Sequence, residues 1–470
     1  MMKPVLNAVF VVLALTGAAG CALVSPTNPY RAFGADQTEK SATSMPPSHT
    51  PVSGRPVTLR EAIAVALKNN PALSEARYKA DLAAAQRAEA LSRALPSVHA
   101  VGGYTHYSDD QRLVGPRYNG ELGVFGDDIF SADLVLTQPL FAGGRLVNEI
   151  KAATLLQQAA MHQFSRTRQE LIFNVSSTFY AILAQRKVVA SLRFSEKTLE
   201  EHLKQVESLI AQKRAARVDR LRTQVRIADV RQRLTQARNV LSVQRRVLAN
   251  LMGVGDRKGP LRVSGTLAKT DEGPLVVEDK IKSAFEHRKD YLAARDALEA
   301  QAKKVDAARA GHWPTISLQG SYGMRWADNP TDYPTGTDAS EELGRVGLFV
   351  DLPLFESGQI AARVREARAT LGAFQERLRA LKLRIRLEVE TAALNIDTAR
   401  KRIDTTEKAI AQAKESLRIE REKYNQGKGA MIDVLDAQSA LLDSETNYFR
   451  ALADYLTAIA QMRLATGEVK

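Results

Sequence analysis

The chain has 470 residues, a formal charge of +13, a single cysteine and few aromatic side chains. One cysteine excludes an intrachain disulfide, so packing alone must hold the fold. Abundant Ala, Arg, Leu, Gln and Glu is the composition of long helices and coiled coils, and the basic surplus points to nucleic acid or an anionic membrane unless the compartment forbids it.

The first residues give the compartment. Lys3, the apolar run from Val5 to Leu15 and the small residues Thr16 to Gly20 read as an export signal over residues 1–20, too short to span a bilayer. An exported chain meets no nucleic acid, and its Lys and Arg are mixed with Glu and Asp as on coiled-coil flanks, so no nucleic-acid partner is expected. The Ala-Ala-Gly-Cys ending at Cys21 resembles a bacterial lipoprotein signal, in which Cys21 is acylated (a palmitate-type anchor) and becomes the mature N-terminus. Ordinary cleavage nearby, with Cys21 idle or removed, is the alternative. No later run reaches the roughly 18 apolar residues of a spanning helix.

Residues 21–57 are rich in Pro, Ser, Thr and Gly and read as a tether. A first repeat is expected over 58–254. Thr58 with Glu61 forms a capping-box pattern, and Leu59, Ala62, Ile63, Ala66 and Leu67 mark one face of a helix running, bent near Pro71, to Leu95. After Pro96 the period falls from 3.6 to 2, which predicts strands at 97–108 and 128–138. Residues 145–212 then carry no Pro or Gly and predict a helix of about 100 Å at ~1.5 Å per residue, followed by a partner helix from Val218 to Leu251.

A linker at 255–274 leads to a second repeat over 275–466, with strands at 315–326 and 344–353, a helix from Gln359 to Asn425, and a tail at 467–470. From Ile432 the sequence steps through Leu435, Ser439, Leu442, Thr446, Phe449, Ala453, Leu456 and Ala460, a heptad seam with small members that allow close helix approach. The two halves echo one another. Pro139-Leu-Phe141 with Gly144 returns 214 residues later as Pro353-Leu-Phe355 with Gly358, and Asp219 returns as Asp433 at the same offset. Pro139 and Pro353 are expected to end the sheet ladder, the Leu-Phe pairs to fill the junction, and Gly144 and Gly358 to let the backbone turn into the helix.

Ile316, Leu318, Tyr322, Met324 and Trp326 alternate with Ser317, Gln319, Ser321 and Arg325, and such a strand needs an apolar medium on one side. In lipid every backbone group must be paired, so the sheet must close into a barrel. Four strands are too few, since bacterial barrels begin at about eight; several copies must share one barrel, with the polar alternates lining a wet lumen. Trp313 and Trp326 bracket the third strand as interface residues do, or serve only as amphipathic rim residues.

The duplicated junction, the opening Thr58-Leu-Arg-Glu-Ala-Ile and the stretch from Tyr424 through Gly427 and Asp433-Val-Leu-Asp436 to Tyr455 resemble TolC-type outer-membrane efflux proteins over nearly all of residues 58–466. That resemblance implies an α+β membrane protein: a homotrimer whose protomers each give four strands to a transmembrane β-barrel in the outer membrane lipid. A long periplasmic coiled-coil barrel of helices would continue it. It implies an export duct working with a periplasmic membrane-fusion adaptor and an inner-membrane pump of RND or ABC type, and no covalent chemistry. An exit duct of a type I protein secretion system, or a structural or adhesive coiled-coil envelope protein, is the alternative; the duplicated membrane-length strands argue against the adhesin.

The resemblance places a periplasmic gate at Asp433, Asp436, Tyr424 and Asp219. Three copies of each carboxylate around an axis would concentrate negative potential. The plainer reading is solvated acids following a helix N-terminus. The first tip departs from the family pattern: Lys213 stands where the second repeat has Gly427, and Arg214, Arg217, Arg220 and Arg222 crowd around it. This collar, with Gly427, Lys428 and Gly429 of the second tip, either docks an acidic adaptor tip or links to Asp433 and Asp436 in the closed state; a solvated helix end is the alternative. The seven histidines are scattered without metalloprotease or nucleophile-elbow spacing, so neither enzyme, metal nor cofactor is expected, and His162 and His202 read as surface residues.

Overall fold

The computed structural model describes residues 55–469 except 256–258, 260, 271, 272, 274, 275, 329 and 331–338. The expected signal, Cys21 and the tether up to residue 54 lie outside the described residues, as does much of the linker. In chain order the elements are α1 (Leu59–Asn69), α2 (Pro71–Ser92), β1 (Ser97–Arg112), β2 (Phe125–Ala142), α3 (Arg145–Ala211), α4 (Arg217–Leu251), α5 (Val277–His287), α6 (Lys289–Arg309), β3 (Thr315–Asp328), β4 (Ser340–Asp351), α7 (Gln359–Asn425) and α8 (Met431–Thr466).

The expected first helix is two. The capping box forms: the Glu61 amide donates to Thr58 Oγ1 and the Thr58 amide to Glu61 Oε2 at 2.9 Å. Asn70 then ends α1 and caps α2, its Oδ1 accepting from the Leu73 amide, with Pro71 as the first residue of α2, where its missing N–H costs nothing.

All four strands join one antiparallel sheet in the order β1-β2-β3-β4, so β2 and β3 pair across the two repeats. Each pair is longer than the alternation predicts, because the ladder runs past the last apolar residue into the Asp- and Gly-rich ends. Pro139 does not end its strand. It sits in register with Ser317, beside a bulge before Phe141, and β2 continues to Ala142. The last β1 partner is Thr137 (with Ser97), so Pro139 lies where β2 has become an edge on that side, the position at which a residue without an N–H is tolerated. Pro353 does lie beyond its strand.

The register puts the expected apolar residues on one face. Tyr104, Phe130 and Trp326 stand side by side across β1, β2 and β3, with Ala132 opposite Met324, Leu134 opposite Tyr322 and Leu318 opposite Leu348. Phe130 stacks on Trp326 at 5.5 Å and meets Tyr104 at 4.9 Å. This face is uncovered: Val346 is 72% and Leu348 66% exposed. The opposite face carries the Asp133–Arg325 ion pair at 2.9 Å and the Arg345 Nε donation to Ser321 Oγ at 3.0 Å. An apolar face, a polar face and two edges unpaired among the described residues describe a piece of a barrel wall.

The helices form two antiparallel hairpins, α3 with α4 and α7 with α8, and α3 and α7 each run 67 residues. In α7 the buried Ile385, Val389, Ala392, Ile396, Ala399 and Ile403 alternate steps of four and three, a heptad seam that packs on Ala451, Leu452, Tyr455, Ile459 and Met462 of α8. The seam expected in α8 is broader than one row, because α8 packs on both α7 and α3. Leu435, Leu442, Thr446 and Ala453 are buried, but Ile432 is exposed and Val434, Gln438 and Ala458 fill the space beside them.

Where the hairpins meet the short helices, a charged network closes around a buried arginine. Arg288, 1% exposed, pairs with Asp290 (2.7 Å) and Glu388 (2.5 Å) and donates to the Ala465 carbonyl, while Arg166 on α3 donates to the Leu464 carbonyl. Burial alone would lower the Arg288 guanidinium; the hydrogen bonds and charges of Asp290 and Glu388 outweigh it and hold it above its ordinary value. What is described of the linker straps across both halves. Val57 bridges Val263, Tyr455 Oη donates to the Thr270 carbonyl (2.6 Å), and Lys269 pairs with Asp404.

Candidate functional site

At the end of each hairpin far from the sheet, the two tips are built alike. The α7 helix ends with Gly427 at φ +74, the Gly427 amide donating to the Tyr424 carbonyl and the Lys428 amide to the Lys423 carbonyl. At the end of α3, Lys213 sits at φ +60, with its amide on the Ile210 carbonyl and that of Arg214 on the Leu209 carbonyl. Both are the glycine-type helix stop with a left-handed residue, and at the first tip a lysine is made to serve as that residue. Asp219 and Asp433 then occupy the third residue of α4 and α8, where the helix dipole favours an anion, and the Ala430 amide donates to Asp433 Oδ2.

The expected gate residues fall into two groups. Tyr424 packs half-buried near Asp219, its hydroxyl enclosed without a hydrogen-bond partner. Burial, with the Asp219 charge as the smaller cause, raises its pKa. Asp433 and Asp436 lie on the exposed side of α8. None of Lys213, Arg214, Arg217, Arg220 and Arg222 forms an ion pair with a described residue, and all five are exposed. The cation that reaches the acids is one turn further along: Arg226 Nη2 lies 3.2 Å from Asp436 Oδ1, and Arg226 Nη1 contacts Ser439 Oγ. Seven residues on, Arg233 pairs with Asp443 at 2.6 Å. Together they make a two-rung ladder between α4 and α8.

A second tie joins α3 to α7. Contrary to the surface position expected of it, His202 is 8% exposed, and its Nε2 accepts from Arg421 Nε (3.0 Å) and Nη2 (2.7 Å). Arginine has no acceptor, so that nitrogen must be unprotonated. Burial first, and the Arg421 charge second, lower the His202 pKa to about 4. Three residues on, Gln205 Nε2 donates to Asn425 Oδ1 at 2.8 Å.

At the other end of the hairpins, the sheet-to-helix junctions repeat as well. Gly144 and Gly358 cap α3 and α7 at φ +85 and +81. The residue before each is also left-handed: Gly143 (φ +59) and Ser357 (φ +49). A side chain at 143 would strike the Trp313 Cβ and the Ala310 carbonyl, whereas at 357 a serine is accommodated. The Leu-Phe pairs do not fill the junction within one copy. Leu354 and Phe355 are 88% and 86% exposed, and Leu140 and Phe141 are exposed as well, so no described residue covers them.

Among the described residues one trio of metal-ligand type comes together, His106, Asp127 and Asp128 at the rim of the sheet. Asp128 Oδ1 already accepts from the Tyr104 hydroxyl (2.7 Å) and lies 2.8 Å from His106 Nδ1, which makes the group an internal clasp.

A barrel-wall sheet continued by helices about 100 Å long defines a membrane duct with an extended helical stem. The outer membrane efflux protein family model matches residues 62–254 and 281–468, and the chain belongs to that family. It is 24% identical over 407 residues to the outer membrane protein TolC of Vibrio cholerae, covering 86% of this chain and 89% of that one. The proteases secretion protein PrtF of Dickeya chrysanthemi is 25% identical over 328 residues, 67% of this chain and 68% of its own. The crystal structure of the outer membrane protein VceC of Vibrio cholerae superposes with a TM-score of 0.73 at 18% identity, over 87% of this chain and 96% of that chain. The protein is an efflux channel of the outer membrane.

Proposed function

We propose that three copies, each giving four strands, close the barrel and stack their hairpins into a periplasmic tunnel that receives cargo from a membrane-fusion adaptor and an inner-membrane pump of RND or ABC type. The chain itself performs no covalent chemistry. One observation carries this reading: an uncovered apolar sheet face with two unpaired edges runs directly into hairpins whose junction residues Leu354 and Phe355 also lack cover. The edges and the face ask for the same remedy, more copies in a bilayer. Cross-linking in detergent extracts of the outer membrane should trap a trimer and no higher species; a water-soluble monomer would end the proposal.

In this reading Asp433, Asp436, Tyr424 and Asp219 form the periplasmic gate, with the Arg226–Asp436 rung supporting its closed state. The unpaired cations Lys213, Arg214, Arg217, Arg220 and Arg222, together with Gly427, Lys428 and Gly429, form the surface that meets an acidic adaptor tip, which their lack of partners supports. Cys21 carries a lipid anchor, tested by mass spectrometry of the mature N-terminus. The likeness to a proteases secretion protein favours a second reading, in which the cargo is a polypeptide and the pump is of ABC type. Deleting this chain and assaying secreted proteins beside drug sensitivity separates the two.

A further inference from the structure

The segment between β1 and β2 is polar for most of its length (Gly115, Pro116, Arg117, Asn119, Gly120, Glu121), yet its two ends are among the few buried places at this rim of the sheet. Leu113, Val114 and Val124 are buried with Ala327, and Ile129 and Leu343 pack against them. The face on which this cluster sits decides what it does. Ile129 is directly opposite Ala327, and Leu343 is opposite Gly323, two residues before Arg325. Side chains alternate along a strand, so Ile129, Ala327 and Leu343 share the face of Asp133, Arg325, Ser321 and Arg345, the polar one. The loop therefore folds onto the inner face instead of outward over the aromatic row of Tyr104, Phe130 and Trp326.

It is also fastened there. The Arg112 guanidinium donates to the carbonyls of Val114 (2.9 Å), Glu121 (3.0 Å) and Leu122 (3.3 Å), and the Leu113 amide continues the ladder to the Val124 carbonyl. Gly123 leaves space for that guanidinium, since a side chain there would collide with it. The loop then passes β2 and β3 to reach β4, where Arg117 donates to the Glu342 carbonyl and the Val124 amide to Glu341 Oε1. Its tip, Tyr118 and Leu122, remains exposed. An apolar patch inside an otherwise polar wall has a use only if something covers it, and the loop does.

We propose that residues 113–124 form a fixed cap that folds into the outer mouth of the barrel, so that three copies narrow the exit and set an upper size for what passes between duct and exterior. The proposal rests on the polar face being the wall of an aqueous lumen, and its test separates the two ideas. Ser321→Cys places a thiol on that face midway along β3, and whole cells are treated from outside with N-ethylmaleimide or with a maleimide carrying a long polyethylene glycol chain, using the parent chain as background. With the loop intact the small reagent should label and the bulky one should not. Deleting Pro116–Gly120 should speed bulky labelling several-fold and leave small-reagent labelling unchanged. The double substitution Leu113→Ser, Val124→Ser keeps the loop's length, frees its anchors, and should do the same if the deletion fails to assemble. Equal bulky labelling with and without the loop overturns the cap, and absence of labelling by either reagent overturns the lumen assignment beneath it.

Discussion

Asn70 and Arg288 hold the same place in the two repeats and do the same work with different chemistry. Asn70 Nδ2 donates to the Leu251 carbonyl at the end of α4, and Arg288 Nη1 donates to the Ala465 carbonyl at the end of α8. Each stands at the joint between two short helices and satisfies a helix-terminal carbonyl, but only Arg288 brings a charge into the interior. Asp290 and Glu388 answer it, so removing Arg288 leaves the part-exposed Glu388 without its cation and Asp290 with only Arg166, 3.9 Å away. Arg288→Ala should cost roughly 3–5 kcal/mol, whereas the neutral triple replacement Arg288→Met, Asp290→Asn, Glu388→Gln should cost clearly less. Thermal unfolding of the purified assembly ranks them; the opposite order would show that the charges themselves stabilise the joint.

The two helix stops give a backbone prediction. At Gly427 an added Cβ meets nothing, so Gly427→Ala should cost only the left-handed strain, about 1 kcal/mol. At Lys213 that strain is already present, and Lys213→Gly should relieve up to about 1 kcal/mol of it. Amide hydrogen exchange confined to the two tips should move in opposite directions for the pair.

The Arg226–Asp436 rung is exposed, so its loss should change global stability by less than about 1 kcal/mol. Its effect should appear instead in the resting conductance of single channels in planar bilayers. Arg226→Ala and Asp436→Asn should each raise that conductance, and the double variant should add little to either, as expected when both break one contact. Additive increases would mean that the two residues act separately. Charge reversal at Arg217 or Arg222, which touch no acid here, should leave resting conductance unchanged and weaken adaptor binding.

His202 predicts an acid response. Its ordinary pKa is about 6.5, and in the fold it falls to about 4. Below pH 6.5 the unfolded or opened chain takes up a proton that the packed tip refuses. The stability associated with the neutral ring is complete above about 6.5 and is lost as pH falls toward 4, amounting to about 2 kcal/mol per copy at pH 5. The α3–α7 contact at the tip should therefore loosen in mild acid, seen as faster exchange around Gln205 and Asn425. His202→Gln should flatten that dependence; an unchanged pH profile would place its origin elsewhere.

The large architecture was legible because it rests on period and punctuation. The switch from 3.6 to 2 at Pro96, the Gly and Pro at the junctions and the 214-residue echo are local or repeated signals, and the residues that share each sheet face followed from alternation alone. Pairings between the repeats were not legible. Nothing local says that Arg226 faces Asp436 or that His202 lies under Arg421, because those contacts depend on which hairpin faces which across more than 200 residues. The heptad spacing shared by Arg226 and Arg233 with Asp436 and Asp443 was a usable clue. Pro139 misled for a related reason: where a proline falls relative to the end of the neighbouring strand decides whether it stops a ladder, and one strand's sequence does not contain that distance.

The unpaired edges of β1 and β4 also bear on inheritance. A copy damaged only in β4 still offers a sound β1 edge and will be accepted by healthy siblings, whose finished ring then carries one faulty seam. A defective allele beside a normal one should therefore poison mixed assemblies rather than simply halve the supply.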